Sequence, residues 1–245
     1  MNALVRNSIL LISILMGSLF SLLALPKEMS ADFYLEFHRG GGMRPDFIEY
    51  FFSKGLSFIK EKKNGKEEIL CFRMDPGLLR NLYASLLKNR FERIETRTEK
   101  ISDRGGERVQ VGMDRKTYNK SDSGMTLIQP LWKSNWKNIL EDIQKTKLLS
   151  TKDSPKIRFS LRWKNFQEPL SFNMSAENRT LFYQYQIQQS RFDEVAFYFL
   201  PGTYKLQFEF LEDKAKFYNH EVEFTVDRDS KEVSFFCNPE GCVRH

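Results

Sequence analysis

Residues 47–76 read FIEYFFSKGLSFIKEKKNGKEEILCFRMDP, and the fold of the first half of the chain follows from this stretch. Three apolar-rich runs within it, at 47–52, 56–62 and 67–72, are bounded by turn residues, as strands are. Asn64-Gly65 separates the last two runs, and both residues tolerate the positive φ angles of a type I′ turn. The stretch therefore predicts an antiparallel meander, which the alternating residues 33–38 extend by one strand.

The strand pattern ends at Asp75-Pro76, which predicts the start of a helix. Aspartate accepts hydrogen bonds at an N-cap, and proline suits the first helical position. Leucines then recur at helical spacing up to residue 89. A further strand is expected at 108–113, and a second helix begins at Pro130 with two tryptophans on its apolar face. Residues 27–148 are therefore predicted to form an α+β domain, an antiparallel sheet with two helices.

The rest of the chain changes character after a polar segment. Residues 145–155 (KTKLLSTKDSP) are polar and end in proline, which predicts a linker at 149–155. From residue 156 strands follow one another at short intervals, as in an all-β sandwich domain over 156–245. The strands are expected at 157–163, 180–187, 194–200, 203–211, 217–226 and 233–237. The two predicted domains should be separable at the linker.

The N-terminus has the layout of an export signal. Arg6 precedes an apolar run at 8–25, SILLISILMGSLFSLLAL, and the next charge is Lys27. We interpret 1–25 as a signal peptide. The run also has about the minimum length of a membrane-spanning helix, so a retained anchor is the alternative. The protein is therefore expected to be exported to a periplasm, a cell envelope or the medium, with membrane contact only through this segment if it is not cleaved.

Charge restricts the class of partner. The formal net charge is +6, but Lys and Arg are interleaved with Asp and Glu along most of the chain. This pattern is typical of a solvated, mildly basic surface rather than a nucleic-acid footprint. We expect no nucleic-acid partner, and instead a protein or an anionic component of the envelope.

The chain has three cysteines, which have different predicted roles. Cys237 and Cys242 flank the turn sequence Asn-Pro-Glu-Gly, so an oxidising compartment favours a disulfide between them. A metal site with His245 and His220 is the alternative. Cys71 lies in the apolar run ILCF and is expected to be a buried, reduced residue.

The sequence contains no recognised catalytic or cofactor-binding motif. A nucleophile elbow, a zinc-peptidase helix motif and a phosphate-binding loop are all missing, so we expect a non-catalytic protein without a cofactor. Glycines after the first strand allow close approach of another backbone, with a mobile turn as the alternative, and the hairpin at Asn64-Gly65 concentrates lysines. The candidate interaction residues are Arg39, Gly40, Gly41, Gly42, Lys60, Lys62, Lys63 and Lys66.

Two resemblances add to this interpretation. Leu200-Pro201-Gly202-Thr203-Tyr204, followed by an alternating strand, resembles the corresponding element of transthyretin-like and carboxypeptidase-regulatory-like sandwich modules. That resemblance implies a sandwich fold with an accessory or adhesive role. Most of 31–146, opening with a strand that ends in Arg39 and glycines, resembles bacterial domains of the emfourin type. That resemblance implies inhibition of thermolysin-like metallopeptidases.

The functional expectation is an exported, non-catalytic binding or structural protein of a cell envelope. A peptidase inhibitor acting through the first domain is the first alternative, and an unrecognised hydrolase is the second.

Export can be tested by breaking the apolar run. Replacing Leu15 and Met16 with arginine should trap the protein inside the cell, because each central arginine costs about 2.5–3.5 kcal/mol of membrane insertion free energy. Cell fractionation and immunoblotting of the wild type and the variant provide the measurement. Undiminished export of the variant would show that 1–25 is not the export signal.

Overall fold

The computed structural model describes residues 25–41, 46–99, 104–163, 171–177, 179–185, 195–213 and 216–245. The strands in these ranges are β1 Tyr34–Gly40, β2 Phe47–Ser53, β3 Leu56–Lys63, β4 Lys66–Arg73, β5 Thr96–Thr98, β6 Gly106–Met113, β7 Lys116–Asp122, β8 Thr126–Ile128, β9 Ile157–Trp163, β10 Ser171–Ala176, β11 Arg179–Tyr185, β12 Val195–Phe199, β13 Gly202–Asp213, β14 Lys216–Val226, β15 Glu232–Asn238 and β16 Gly241–Arg244. The α-helices are α1 Pro76–Lys88 and α2 Lys133–Thr151. Short 3-10 helices lie at Phe91–Arg93 and Pro130–Trp132.

The chain is rich in β-structure, as predicted, with two α-helices in the described ranges. Of the predicted leader, only Leu25 lies within those ranges. Neither described helix has the length and apolar character needed to cross a bilayer.

One large sheet joins strands from both halves of the chain. Its order is β16-β15-β9-β12-β4-β3-β2-β1-β6-β7. The described strand pairs within it are antiparallel apart from β12 with β4 and β15 with β9, which are parallel. A smaller sheet has the order β11-β10-β13-β14, and β5 pairs with β8 in a two-stranded ribbon.

The large sheet is covered on both faces where the two halves meet. In β4, Leu70 and Phe72 point into a core shared with the helices. Ile69 and Cys71 alternate with them and point into a second core shared with the small sheet. Burial on both faces explains why β4 contains the continuous apolar run ILCF, because neither face of the strand meets water.

The predicted meander and its turn are confirmed. β1, β2, β3 and β4 pair in sequence order as antiparallel neighbours. Asn64 and Gly65 have φ angles of 53° and 79°, as a type I′ turn requires. Both residues are exposed at the hairpin end.

The predicted first helix is also confirmed. The Asp75 carboxylate accepts hydrogen bonds from the backbone N–H groups of Gly77 and Leu78, at 2.8 and 3.0 Å, and so caps the helix. In the second helix Trp136 is 4% exposed and Trp132 packs against the same core, so both tryptophans contribute to packing.

The predicted linker boundary is wrong by three residues. The linker was expected to begin at Leu149, but α2 continues to Thr151. Contacts with the sheet hold the end of this helix: Thr146 is buried, and Lys147 forms a 3.3 Å salt bridge with Glu61 of β3. The sequence predicted that the two halves fold independently. The shared sheet and shared core place contacts across the predicted boundary, so we expect the halves to unfold together.

Five strands lie outside the ranges predicted from the sequence: β5, β7, β8, β10 and β16. β7 carries few apolar residues, so its strand character comes from pairing with β6 rather than from its own composition. β10 does alternate Phe172, Met174 and Ala176 with polar residues, and the sequence prediction missed that signal. β16 is four residues long and pairs with β15 after the turn that was expected to close the disulfide.

Residues 200–204 (LPGTY) connect three strands. The Tyr204 hydroxyl donates a 2.6 Å hydrogen bond to the Leu200 carbonyl within the buried core. The Tyr204 ring packs edge-on against Phe199 at a centroid distance of 4.8 Å. The Leu200 N–H donates to the Cys71 carbonyl of β4 at 3.0 Å, so this element connects β12, β13 and β4.

Removal of that hydroxyl should destabilise the protein. Tyr204→Phe keeps the ring but leaves the buried Leu200 carbonyl without this partner, which costs roughly 1–3 kcal/mol of unfolding free energy. Urea unfolding measures the change. Tyr198→Phe is the matched control, because Tyr198 is only partly buried and packs against Lys156. Equal stability of the two variants would contradict the structural role of the hydroxyl.

Candidate functional site

Two pairs of glycines face each other at one end of the large sheet. Gly40 of β1 lies opposite Gly106 of β6 in the strand register, and Gly41 and Gly105 follow on either side. A Cβ atom on Gly105 would lie 3.0 Å from the Gly41 carbonyl oxygen. One on Gly106 would lie 2.5 Å from the Ser123 Cα atom. The backbone at Gly105 therefore lies close to Gly41 and the backbone at Gly106 lies close to Ser123, where side chains on these glycines would not fit.

These glycines line a cleft of about 400 Å³, which we call the glycine cleft. Its lining residues are Arg39, Gly40, Gly41, Asp46, Arg104, Gly105, Gly106, Glu107 and Asp122. Three of the predicted interaction residues, Arg39, Gly40 and Gly41, thus lie together at this cleft. Gly42 lies outside the described residues.

Two ion pairs fix the charged side chains of the glycine cleft. Arg39 donates a 2.8 Å hydrogen bond from Nε to Glu107, and its guanidinium lies 5.6 Å from the ring centroid of Phe37. Arg104 donates to Asp122 at 2.8 Å. Pairs this exposed contribute about 0–1 kcal/mol to stability, so their main effect is on charge. Both arginines already have a carboxylate partner.

The hairpin of β3 and β4, which carries Lys60, Lys62, Lys63 and Lys66, lies beside the glycine cleft. The Asn64 N–H at the hairpin end donates a 3.0 Å hydrogen bond to the Asp46 carboxylate in the cleft lining. Two features that the sequence suggested separately are therefore neighbours in space.

Strand alternation divides the four hairpin lysines between the two faces of the sheet. Lys60 and Lys62 share a face with the core residue Phe58, and Lys60 forms a 3.2 Å salt bridge with Glu67. Lys63 and Lys66 lie opposite each other in the register and are exposed. The structure thus brings Lys63 and Lys66 together at the hairpin tip and separates them from the other two.

Sequence reasoning missed the second half of the glycine cleft. Gly105-Gly106 was recognisable as a turn, but only the pairing of β1 with β6 brings it against Gly40 and Gly41. Asp46, Arg104 and Asp122 carried no signal, since their role follows from tertiary position.

The predicted disulfide is confirmed. Cys237 and Cys242 lie opposite each other in the pairing of β15 with β16 and are bonded. Both sulfur atoms are used in that bond and are not thiolate ligands, which removes the basis of the metal alternative with His220 and His245. In the described ranges, no group of three or more His, Cys, Asp or Glu side chains converges as metal ligands would.

Cys71 of β4 is free and fully buried in the core between the large and small sheets. Burial disfavours the thiolate and raises the pKa of the Cys71 thiol well above its usual range. The thiol is therefore both inaccessible and protonated in the folded protein.

Comparison with known proteins gives no match, either to a protein-family profile or to a curated protein sequence.

Thiol labelling separates the three cysteines. An iodoacetamide reagent at pH 8 should leave Cys71 unlabelled in the folded protein and label it in urea, because unfolding exposes the thiol and restores its ordinary pKa. Peptide mapping without reductant should recover Cys237 and Cys242 as one cross-linked species. Rapid labelling of Cys71 without denaturant would contradict its burial.

Proposed function

We propose that this chain is an exported, non-catalytic binding protein of a cell envelope, with its contact surface at the glycine cleft and hairpin tip. In this proposal residues 27–148 form an α+β part that carries the surface, and 156–245 form a sandwich part that supports it. The observation that carries the proposal is the cleft where the two glycine segments meet, in which Gly41 is exposed and Gly40, Gly105 and Gly106 are partly exposed.

The charges of the glycine cleft favour a protein partner over an anionic polymer. The lining contains two arginines and three carboxylates, and both arginines are paired within the cleft. An anion would have to displace these carboxylates. A polypeptide can instead place its backbone against the glycines and its charged side chains against the ion pairs.

The exposed lysines of the hairpin tip supply the electrostatic component. Lys63 and Lys66 lie on adjacent strands, and no described carboxylate lies within salt-bridge distance of either. Charges in this position accelerate encounter with an acidic partner surface, and the effect decreases with ionic strength.

Leu25 and Pro26, at the end of the apolar run, pack against the protein. Leu25 is 6% exposed in the core under the helices, and the Tyr83 hydroxyl donates to the Pro26 carbonyl. Ala24 is a small residue near the end of the run, and a cut after it would leave these packed residues at the start of the mature chain. The proposed location of that chain is the periplasm, the cell envelope or the medium.

Peptidase inhibition is the second candidate function, and the glycine cleft favours it because glycines let another backbone approach closely. An inhibitor must let the enzyme's backbone approach its own, which glycines allow. The hydrolase alternative gains little from this site, because the lining contains no Ser, Cys or His and two of its three carboxylates are held in ion pairs with arginines.

Site-specific photo-crosslinking tests the contact surface. A benzophenone side chain at position 104 in the cleft, or at 63 on the hairpin tip, should give a discrete protein adduct in envelope fractions. The same group at Lys137, on the exposed face of α2, should not. An identical adduct from all three positions, or none from 104 and 63, would contradict the proposed surface.

Charge reversal tests the electrostatic component on the captured partner. Lys63→Glu with Lys66→Glu should slow association about three- to tenfold at low salt, and the difference should shrink at high salt. Lys133→Glu with Lys137→Glu on α2 changes the net charge equally and is the control. Near-stoichiometric inhibition of a thermolysin-like metallopeptidase would instead select the second candidate.

A further inference from the structure

The small sheet has one face that no described element covers. Phe172, Met174, Phe208 and Phe210 point from its strands into the core against the large sheet. The alternate residues point away from that core. We call the face formed by Tyr183, Asn173, Glu209, Asn219 and Phe217 the outer platform.

Two exposed aromatic residues mark the ends of the outer platform. Tyr183 on β11 is 58% exposed and Phe217 on β14 is 62% exposed. Single exposed apolar side chains are ordinary on protein surfaces, but these two share one sheet face at its opposite edges. Both rings belong to edge strands of the same small sheet.

The strand register fixes the spacing of the two rings. Tyr183 lies opposite Asn173, which lies opposite Glu209, which in turn lies opposite Asn219. This row crosses three strand spacings of about 4.8 Å each, and Phe217 is two residues further along β14, so the rings are roughly 16 Å apart. That distance spans a few linked sugar rings.

The middle of the outer platform consists of hydrogen-bonding groups. The Asn173 amide nitrogen donates to the Glu209 carboxylate at 2.8 Å, which orients both side chains. The Asn173 amide oxygen is itself buried, so the accessible polar groups are the partly exposed Glu209 carboxylate and the exposed Asn219 amide. Amides and carboxylates of this kind both accept hydrogen bonds, and amides also donate them, as recognition of hydroxyl groups requires.

The charges near the outer platform restrict the class of ligand that it can bind. Near the outer platform, Lys205 forms a 2.8 Å salt bridge with Glu221, while Glu209 and Glu223 add carboxylates on the same face. The excess of carboxylates disfavours nucleic acid, acidic glycans and anionic lipid headgroups.

We propose that the outer platform binds a neutral polysaccharide. The rings of Tyr183 and Phe217 stack on the C–H faces of sugar units at the two ends, and Glu209 and Asn219 hydrogen-bond to hydroxyl groups between them, while Asn173 holds the Glu209 carboxylate in place. Two separated flat rings fit an extended ligand, and an uncharged ligand avoids repulsion by the carboxylates. This site goes beyond the glycine cleft and uses none of its residues.

Binding to defined glycans tests the proposal with the full mature chain. Chitohexaose and cellohexaose serve as probes in solution, and chitin and cellulose serve in pull-down. We expect binding of at least one of them, weakened about five- to tenfold by Tyr183→Ala and by Phe217→Ala. Tyr183→Trp, which keeps a flat ring, should retain binding. Leu148→Ala and Val243→Ala are matched controls, because these side chains are 63% and 70% exposed on other elements.

Two further measurements locate the bound glycan on the protein. In amide NMR spectra, the bound glycan should shift resonances of β10, β13 and β14, while Arg39→Glu in the cleft leaves its affinity unchanged. Absence of binding to every neutral glycan would overturn the proposal. So would equal losses in the matched controls, or preferential binding of anionic alginate. Capture of a protein segment along the edge of β14, unaffected by Tyr183→Ala, would assign the surface to strand addition instead.

Discussion

The parallel pairing of β12 with β4 is the interaction on which the rest of the structure depends. It places Phe197 and Phe199, from the second half of the chain, beside Ile69 and Cys71 from the first. Without it the meander of β1 to β4 would end at β4. With it, β9, β15 and β16 extend the same sheet, and the small sheet gains a surface to cover. Parallel strands require a long connection, which explains why residues far apart in sequence meet here.

This junction also determines what each layer can present. The helices cover one face of the first-half strands, so the glycine cleft forms at a strand end and not on that face. The small sheet uses its inner aromatic residues, such as Phe172 and Phe208, against the large sheet. No described element covers its other face. A cleft at a sheet end and a sheet face without a described cover are therefore both consequences of the same layering.

Local signals in the sequence were sufficient for the meander, the Asn64-Gly65 turn, the Asp75 cap and the disulfide. Each depends on residues close in the chain, whose backbone preferences and periodicity report directly on local structure. Joining of the two halves was not predictable, because alternation specifies that a strand has a buried face but not which strand lies beside it. The same limit hid the glycine cleft, where Gly105 gains its meaning only from Gly41.

Two-probe unfolding tests most directly the claim that one sheet unites both halves. Trp132→Phe with Trp163→Phe leaves Trp136, in the core under the helices, as the only fluorescent indole. Trp132→Phe with Trp136→Phe leaves Trp163, beside Phe172 in the second core. In each variant, the guanidinium chloride transition followed by tryptophan fluorescence should coincide with the transition followed by circular dichroism. Two separate transitions, each reported by one tryptophan, would show that the halves unfold independently and would contradict the account.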